Sequence, residues 1–262
     1  EGSDATLVLR EAATAPVIHV ARDDKRLRAM ATALRFFDPS MVVLEFPGWD
    51  CLPYDRVSPQ AEISAQRMAT LATLAAGLNG TFDLLTTLNA ATQFIPPRAL
   101  LTGAAFTAQV GGRIDEAALR GFLVRMGYVN TPTVTEPGAY AVRGGIIDVW
   151  PPGETSPVRL DLFGDTLDGA RRFDAISQRT TQPLDRVELA PVSEVILDDA
   201  SIARFRQNYR VEFGAGGSED PLYEAVTAGR KAQGMEHWLP FFHERLETLF
   251  DYLPEATITL DD

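Results

Sequence analysis

The residues best placed to do chemistry in this chain lie on one short apolar run, Val158-Arg159-Leu160-Asp161-Leu162-Phe163. Successive side chains of a β-strand point to opposite faces. Val158, Leu160 and Leu162 therefore share a core face, and Arg159, Asp161 and Phe163 share the other. A guanidinium pairs with a carboxylate through a planar fork, and an aromatic ring beside it supplies apolar contact area, the composition of a protein-binding hot spot. Arg143, next to Gly144-Gly145, is a second arginine open to a partner's carboxylate, although the glycines could equally form a bulge. A plainer alternative stays open: Phe163 folds beneath the Gly164-Asp165 turn, and Arg159 pairs with Asp161 or a neighbour.

Nucleotide chemistry is poorly served. A phosphate loop needs glycines whose N–H groups cradle phosphate, followed by lysine and then Ser or Thr. The only lysines are Lys25, among Asp23, Asp24 and two arginines, and Lys231, which follows Arg230; neither follows a glycine. Asp261 and Asp262 tip the apolar run Thr257–Leu260 like a magnesium-holding strand end, but this degenerate acidic pair lacks its loop and reads first as a solvated terminus. Hydrolysis by this chain is not expected, and no cofactor is. His19 reads as a core residue within an apolar strand, and His237 and His243 lack zinc-ligand spacing. No nucleophile elbow or Cys–His pairing is apparent.

These groups need a frame. Val17–Val20, Met41–Phe46 and Phe82–Leu88 read as strands. Between them lie a helix capped by Asp23 or Asp24, with Leu27, Met30, Ala31 and Leu34 on one face, and a second opened by Ser58-Pro59, with Met68, Leu71, Ala72 and Ala75 buried and Gly77 as its stop. Strand alternating with helix predicts a parallel sheet. After Pro96-Pro97 the pattern changes. Ala104–Val110 reads as a strand, Asp115 caps a helix carrying Leu119, Phe122, Leu123 and Met126, and β-rich runs punctuated by glycine and proline continue to about Val195. Helical periodicity returns at Ile202, Phe205, Arg206 and Tyr209, and Ala256–Leu260 reads as a last buried strand. The expectation is an α/β protein: a parallel-sheet body in segments 1–98 and 196–262, with a small β-rich α+β domain, 99–195, inserted between them.

The composition narrows the partner. The chain has 262 residues, 45% hydrophobic and 23% charged, enough to bury a sizeable core. Its net charge of −12 disfavours non-specific binding to phosphate backbones, so a protein partner is expected before DNA. The single cysteine, Cys51, forms no internal disulfide, which suits a reducing compartment. No apolar run is long enough to span a bilayer. The opening Glu1-Gly2-Ser3-Asp4 has no signal-peptide layout and suits a recombinant fragment of a larger cytoplasmic protein.

Longer motifs carry a resemblance. Tyr140-Ala-Val-Arg-Gly-Gly-Ile-Ile-Asp-Val-Trp-Pro, Val158-Arg-Leu-Asp-Leu-Phe-Gly-Asp and Leu189-Ala-Pro-Val-Ser-Glu resemble a small domain shared by the excision-nuclease subunit UvrB and the bacterial transcription-repair coupling factors. Phe46-Pro-Gly-Trp-Asp-Cys-Leu-Pro-Tyr-Asp-Arg-Val-Ser-Pro, Ile63-Ser-Ala-Gln-Arg-Met-Ala-Thr-Leu and Gly234-Met-Glu-His-Trp-Leu-Pro-Phe-Phe are similar to the coupling factors in particular, so the likeness covers essentially the whole chain.

The resemblance implies the N-terminal, UvrB-like module of that family, a degenerate helicase-like body whose inserted domain docks onto UvrA. Arg143, Arg159 and Phe163 match the family positions that contact UvrA, and a C-terminal domain of the full-length protein is implied to mask them. Asp261 and Asp262 align with the acidic pair that UvrB uses for magnesium. UvrB's aromatic hairpin has no counterpart between Tyr54 and Glu62. RNA polymerase, DNA, ATP and magnesium are implied as ligands only of regions outside this chain, where the translocase motifs would lie. A DNA-binding, helicase-like fragment of UvrB type is the alternative.

Overall fold

The computed structural model describes residues 4–6, 8, 11, 15–78, 80–214 and 219–261. In chain order its longer elements begin with β1 (Val17–Ala21), α1 (Asp24–Phe37), β2 (Val42–Phe46), α2 (Ala61–Ala76) and β3 (Phe82–Thr87). There follow β4 (Phe106–Gln109), α3 (Glu116–Arg125), β5 (Val129–Asn130), β6 (Ala139–Arg143), β7 (Ile146–Val149), β8 (Val158–Phe163) and β9 (Thr166–Phe173). The last are β10 (Thr180–Leu184), β11 (Arg186–Leu189), α4 (Asp199–Phe213), α5 (Pro221–Thr227) and β12 (Thr257–Leu260). By contact the chain divides into two compact units, one of residues 1–50, 70–102 and 246–262, the other of 51–69 and 103–245.

The first unit holds the expected parallel sheet, ordered β12-β1-β3-β2. Helix α1 starts where Asp23 accepts the Arg26 amide and lays Leu27, Met30, Ala31 and Leu34 over Val17 and Leu85. Strand β3 is buried along its whole length because β1 and β2 flank it on both sides. Strand β12 departs from expectation. It is a sheet edge with Ile258 and Leu260 exposed, since its apolar alternation is covered on neither side as fully as the central strands are.

The second unit is built on a six-stranded sheet, β10-β9-β8-β7-β6-β5, antiparallel except at the β5–β6 pair, with β4 and β11 forming a separate two-stranded ladder. One face of the large sheet packs Tyr140, Ile147, Val149, Val158 and Leu160 against Leu119, Phe122 and Leu123 of α3. Asp115 caps that helix by accepting the amides of Ala117 and Ala118.

Residues 51–69 and 196–245 group with this sheet, whereas the sequence segments place them in the body. Tertiary bonds that no local pattern announces hold them there. Arg67 and Glu194 form an ion pair of 2.6 Å, both side chains buried. Ser58, expected to cap α2, donates instead to Glu236 at 2.6 Å and accepts the Gly234 amide at 2.9 Å, and α2 begins only at Ala61. The burial expected of Ala72 is partial, while Arg67, on the same helix, is fully buried.

Candidate functional site: an arginine–aromatic face of the β-rich sheet

The candidate site is the face of the large sheet opposite α3, and strand register assembles it. Ala141, Asp148, Arg159 and Arg171 stand side by side across β6, β7, β8 and β9. The next row is Arg143, Ile146, Asp161 and Gly169. Directly paired residues project to the same face, so these two rows carry the polar groups while the rows between them feed the core.

Arg143 and Phe163 stand where tight turns leave them. Gly144-Gly145 is the two-residue turn of the β6–β7 hairpin, not a bulge. Gly144 has φ +60°, and a Cβ on residue 145 would lie 2.6 Å from the Leu162 carbonyl oxygen, which only glycine avoids. The actual bulge is in β9. Asp161 pairs with Gly169 and Leu162 with Leu167, leaving Asp168 as the extra residue, after which Phe163 pairs with Thr166 at the mouth of the next hairpin. Phe163 does not fold beneath that turn: it is 81% exposed.

The two arginines are not equivalent. The Arg159 side chain is only 18% exposed; its Nε donates to Asp148 Oδ1 at 2.7 Å and its Nη2 to Oδ2 at 2.9 Å. Its guanidinium also lies 4.8 Å from the centre of the Phe173 ring, in a small apolar cluster with Val134, Ala139 and Ala141. The hydrogen bonds to Asp148 hold the Arg159 pKa above its ordinary value. Arg143 reaches the same carboxylate through Nη2, yet its side chain is 50% exposed. Asp148 itself is 0% exposed.

Arg159 thus pairs with a neighbour, as the plainer alternative held, but the neighbour is Asp148 and not Asp161, which bonds Arg171 at 2.6 Å. Sequence reading passed over Asp148. The signal was there: one acid inside Gly-Gly-Ile-Ile-Asp-Val-Trp, at a strand position that turns away from the apolar face. Strand pairing was needed to set it beside Arg159.

The acidic strand end lies in the first unit. Asp261 accepts Arg26 Nε on both oxygens, at 3.0 and 2.9 Å, and Arg26 Nη2 reaches Asp4 at 2.5 Å. This cluster lines a cleft of about 570 Å3 that also touches His19 and Thr259. Asp261 is therefore covered by an arginine, not solvated; Asp262 lies outside the described residues. His19 is buried with Nδ1 bonded to Thr259 at 2.9 Å, but its Nε2 makes no hydrogen bond, so it is a core residue only half satisfied. Burial, the largest influence, holds its pKa below the ordinary value. Among the described residues no group of His, Cys, Asp and Glu could hold a metal ion, and no helix is long and apolar enough to cross a membrane.

The comparisons with known proteins cover both units, and the family-model match falls within the second. The UvrB interaction domain model matches residues 106–195, the stretch that contains Arg143, Asp148, Arg159 and Phe163. The chain is 35% identical to the transcription-repair-coupling factor of Escherichia coli over 98% of its own length and 22% of that protein. It is 37% identical to those of Haemophilus influenzae (85% of this chain, 19% of the relative) and Myxococcus xanthus (97% and 22%). The chain spans about a fifth of the length of these relatives. The chain thus carries a match to the UvrB interaction domain at residues 106–195 and, along nearly its whole length, is similar to one segment of the transcription-repair-coupling factors.

Proposed function

We propose that this chain is a protein-docking module that binds UvrA through Arg143, Arg159 and Phe163, and so brings excision repair to an RNA polymerase stalled at a DNA lesion. The observation that carries this reading is Phe163: an aromatic ring 81% exposed, on the same sheet face as a half-exposed Arg143 and within the segment matched by the UvrB interaction domain. Aromatic and arginine side chains concentrate binding energy at interfaces. The net charge of −12 favours a protein partner over a phosphate backbone.

On this reading the chain is the N-terminal module of a cytoplasmic protein and performs no catalysis, so it needs neither ATP nor magnesium. ATP-driven translocation, polymerase binding and DNA binding belong to regions outside it, and a C-terminal domain of the full protein covers the Phe163 face at rest. Titrating this chain against purified UvrA tests the proposal. Loss of one partner of a charged interfacial hydrogen bond costs roughly 2–5 kcal/mol, so Arg143→Ala or Arg159→Ala should weaken binding about thirtyfold or more. Unchanged affinity in both variants overturns the site. Salt-dependent binding of duplex DNA in a gel-shift titration would favour the helicase-like alternative instead.

A further inference from the structure

We infer that Asp148 is the positioning residue of this face: it fixes Arg159 as a rigid post and holds Arg143 as a releasable hook for a partner's carboxylate. The inference rests on the docking role proposed above and adds how the surface is prepared for its partner.

Asp148 is a carboxylate at 0% exposure on the polar side of a sheet. A buried charge is tolerated only when paired and hydrogen-bonded. Asp148 meets that need twice over. Arg159 engages both of its oxygens in a fork, and Arg143 adds a bond to Oδ2, the oxygen already shared with Arg159 Nη2. The second bond is redundant for neutralising Asp148. Arg143 can therefore turn to an incoming carboxylate with the fork on Asp148 intact, whereas withdrawal of Arg159 would leave this buried carboxylate only the single bond from Arg143.

The surroundings divide the two arginines in the same way. Arg159 is clamped between Asp148 and the buried Phe173 ring and is largely covered. Arg143 projects from the last residue of β6, beside the Gly144-Gly145 turn, with half of its side chain in solvent. Asp161, in the next row of the face, is engaged by Arg171. A guanidinium held in place before contact loses less side-chain entropy on binding than a free one. The partner chemistry that fits is a carboxylate meeting Arg143, next to an apolar pocket for Phe163.

The test combines UvrA titrations with NMR of the arginine Nε–Hε groups. Asp148→Asn keeps the shape of the side chain and removes its charge. It is expected to weaken UvrA binding about tenfold, a change of one decade in Kd, and to abolish the protected Hε signal of Arg159. Placed on an Arg143→Ala/Arg159→Ala background, Asp148→Asn is expected to cause no further loss, because it acts only through those arginines. Should Asp148→Asn not fold, Arg159→Lys serves: it keeps the charge but not the fork, and is expected to lose as much affinity as Arg159→Ala. Wild-type affinity in folded Asp148→Asn, an added loss on the double-alanine background, or full rescue by Arg159→Lys each overturns the inference while leaving the docking role intact. Unchanged binding in Arg143→Ala and Arg159→Ala overturns the docking role itself, and this inference with it.

Discussion

Arg159 lies directly opposite Asp148 across the β7–β8 ladder, with Nε and Nη2 at 2.7 and 2.9 Å from the two oxygens of a carboxylate that solvent does not reach. Neither residue satisfies the other's needs by sequence proximity; the register of two antiparallel strands brings them together. The arginine assigned to the proposed docking site is therefore also part of what holds the sheet.

That double role separates Arg159 from Arg143 in stability. Removing one partner of a buried pair costs about 3–5 kcal/mol because the other charge is left uncompensated. Arg159→Ala is expected to fall toward the lower end of that range, since Arg143 can still reach Asp148. Arg143→Ala, which leaves the fork intact and removes a half-exposed side chain, is expected to cost less than about 1 kcal/mol. Urea unfolding of the two variants measures the difference, and equal midpoints would contradict the asymmetry.

Phe163 should behave in the opposite way. With the ring exposed in the unbound chain, Phe163→Ala removes almost no folding contact, and its effect on unfolding should stay within about 0.5 kcal/mol. Binding to UvrA should nonetheless weaken by about 2 kcal/mol or more, the scale of an aromatic hot spot. Calorimetric titration beside a melting curve reads both quantities on one sample.

The Arg67–Glu194 pair is the strongest structural commitment of the second unit outside its sheet. Both side chains are buried, and two hydrogen bonds of 2.6 and 3.2 Å join them. Glu194→Ala is expected to destabilise the fold by about 3–5 kcal/mol. Arg67→Met combined with Glu194→Leu should cost less than the sum of the two single changes, since the double variant strands no charge. Additive losses in denaturant unfolding would show that the two side chains act independently.

Asp83 gives the protein a dependence on pH. It sits fully buried in the central strand β3, neither oxygen has a hydrogen-bond partner, and burial pushes its pKa from 3.8 up to about 7. The folded chain keeps this proton where the unfolded chain releases it. The resulting penalty is absent below the unfolded value, grows as pH rises from about 4, and is complete above about 7. Asp83→Asn, which cannot ionise, is expected to remove this decline, so that its stability relative to the parent chain improves steadily from pH 4 to pH 8. Parallel unfolding curves for the two proteins across that range would count against it.

The elements themselves were largely legible in the sequence. Asp23 and Asp115 stand at the two helix starts where capping chemistry places them, Gly77 ends α2 at φ +83°, and the apolar faces of α1 and α3 are the buried ones. The alternation along β8 correctly set Arg159 and Phe163 on the face opposite Leu160. These readings succeed because period and capping are local properties, decided by side chains a few residues apart.

What the sequence alone determined was thus the type of each element and the side on which its polar groups stand. Only the tertiary structure decided how far those groups are covered and what they touch. Arg159 proved largely covered and Phe163 open, although both occupy the same face of one strand, because Asp148 and Phe173 arrive beside the first and none of the described residues covers the second. Ser58 left its expected cap for Glu236, and β12 became an exposed edge, for the same reason. Burial and ion pairing depend on which distant strands and loops pack together, and that is fixed by the sum of many long-range contacts that no single stretch of the chain encodes.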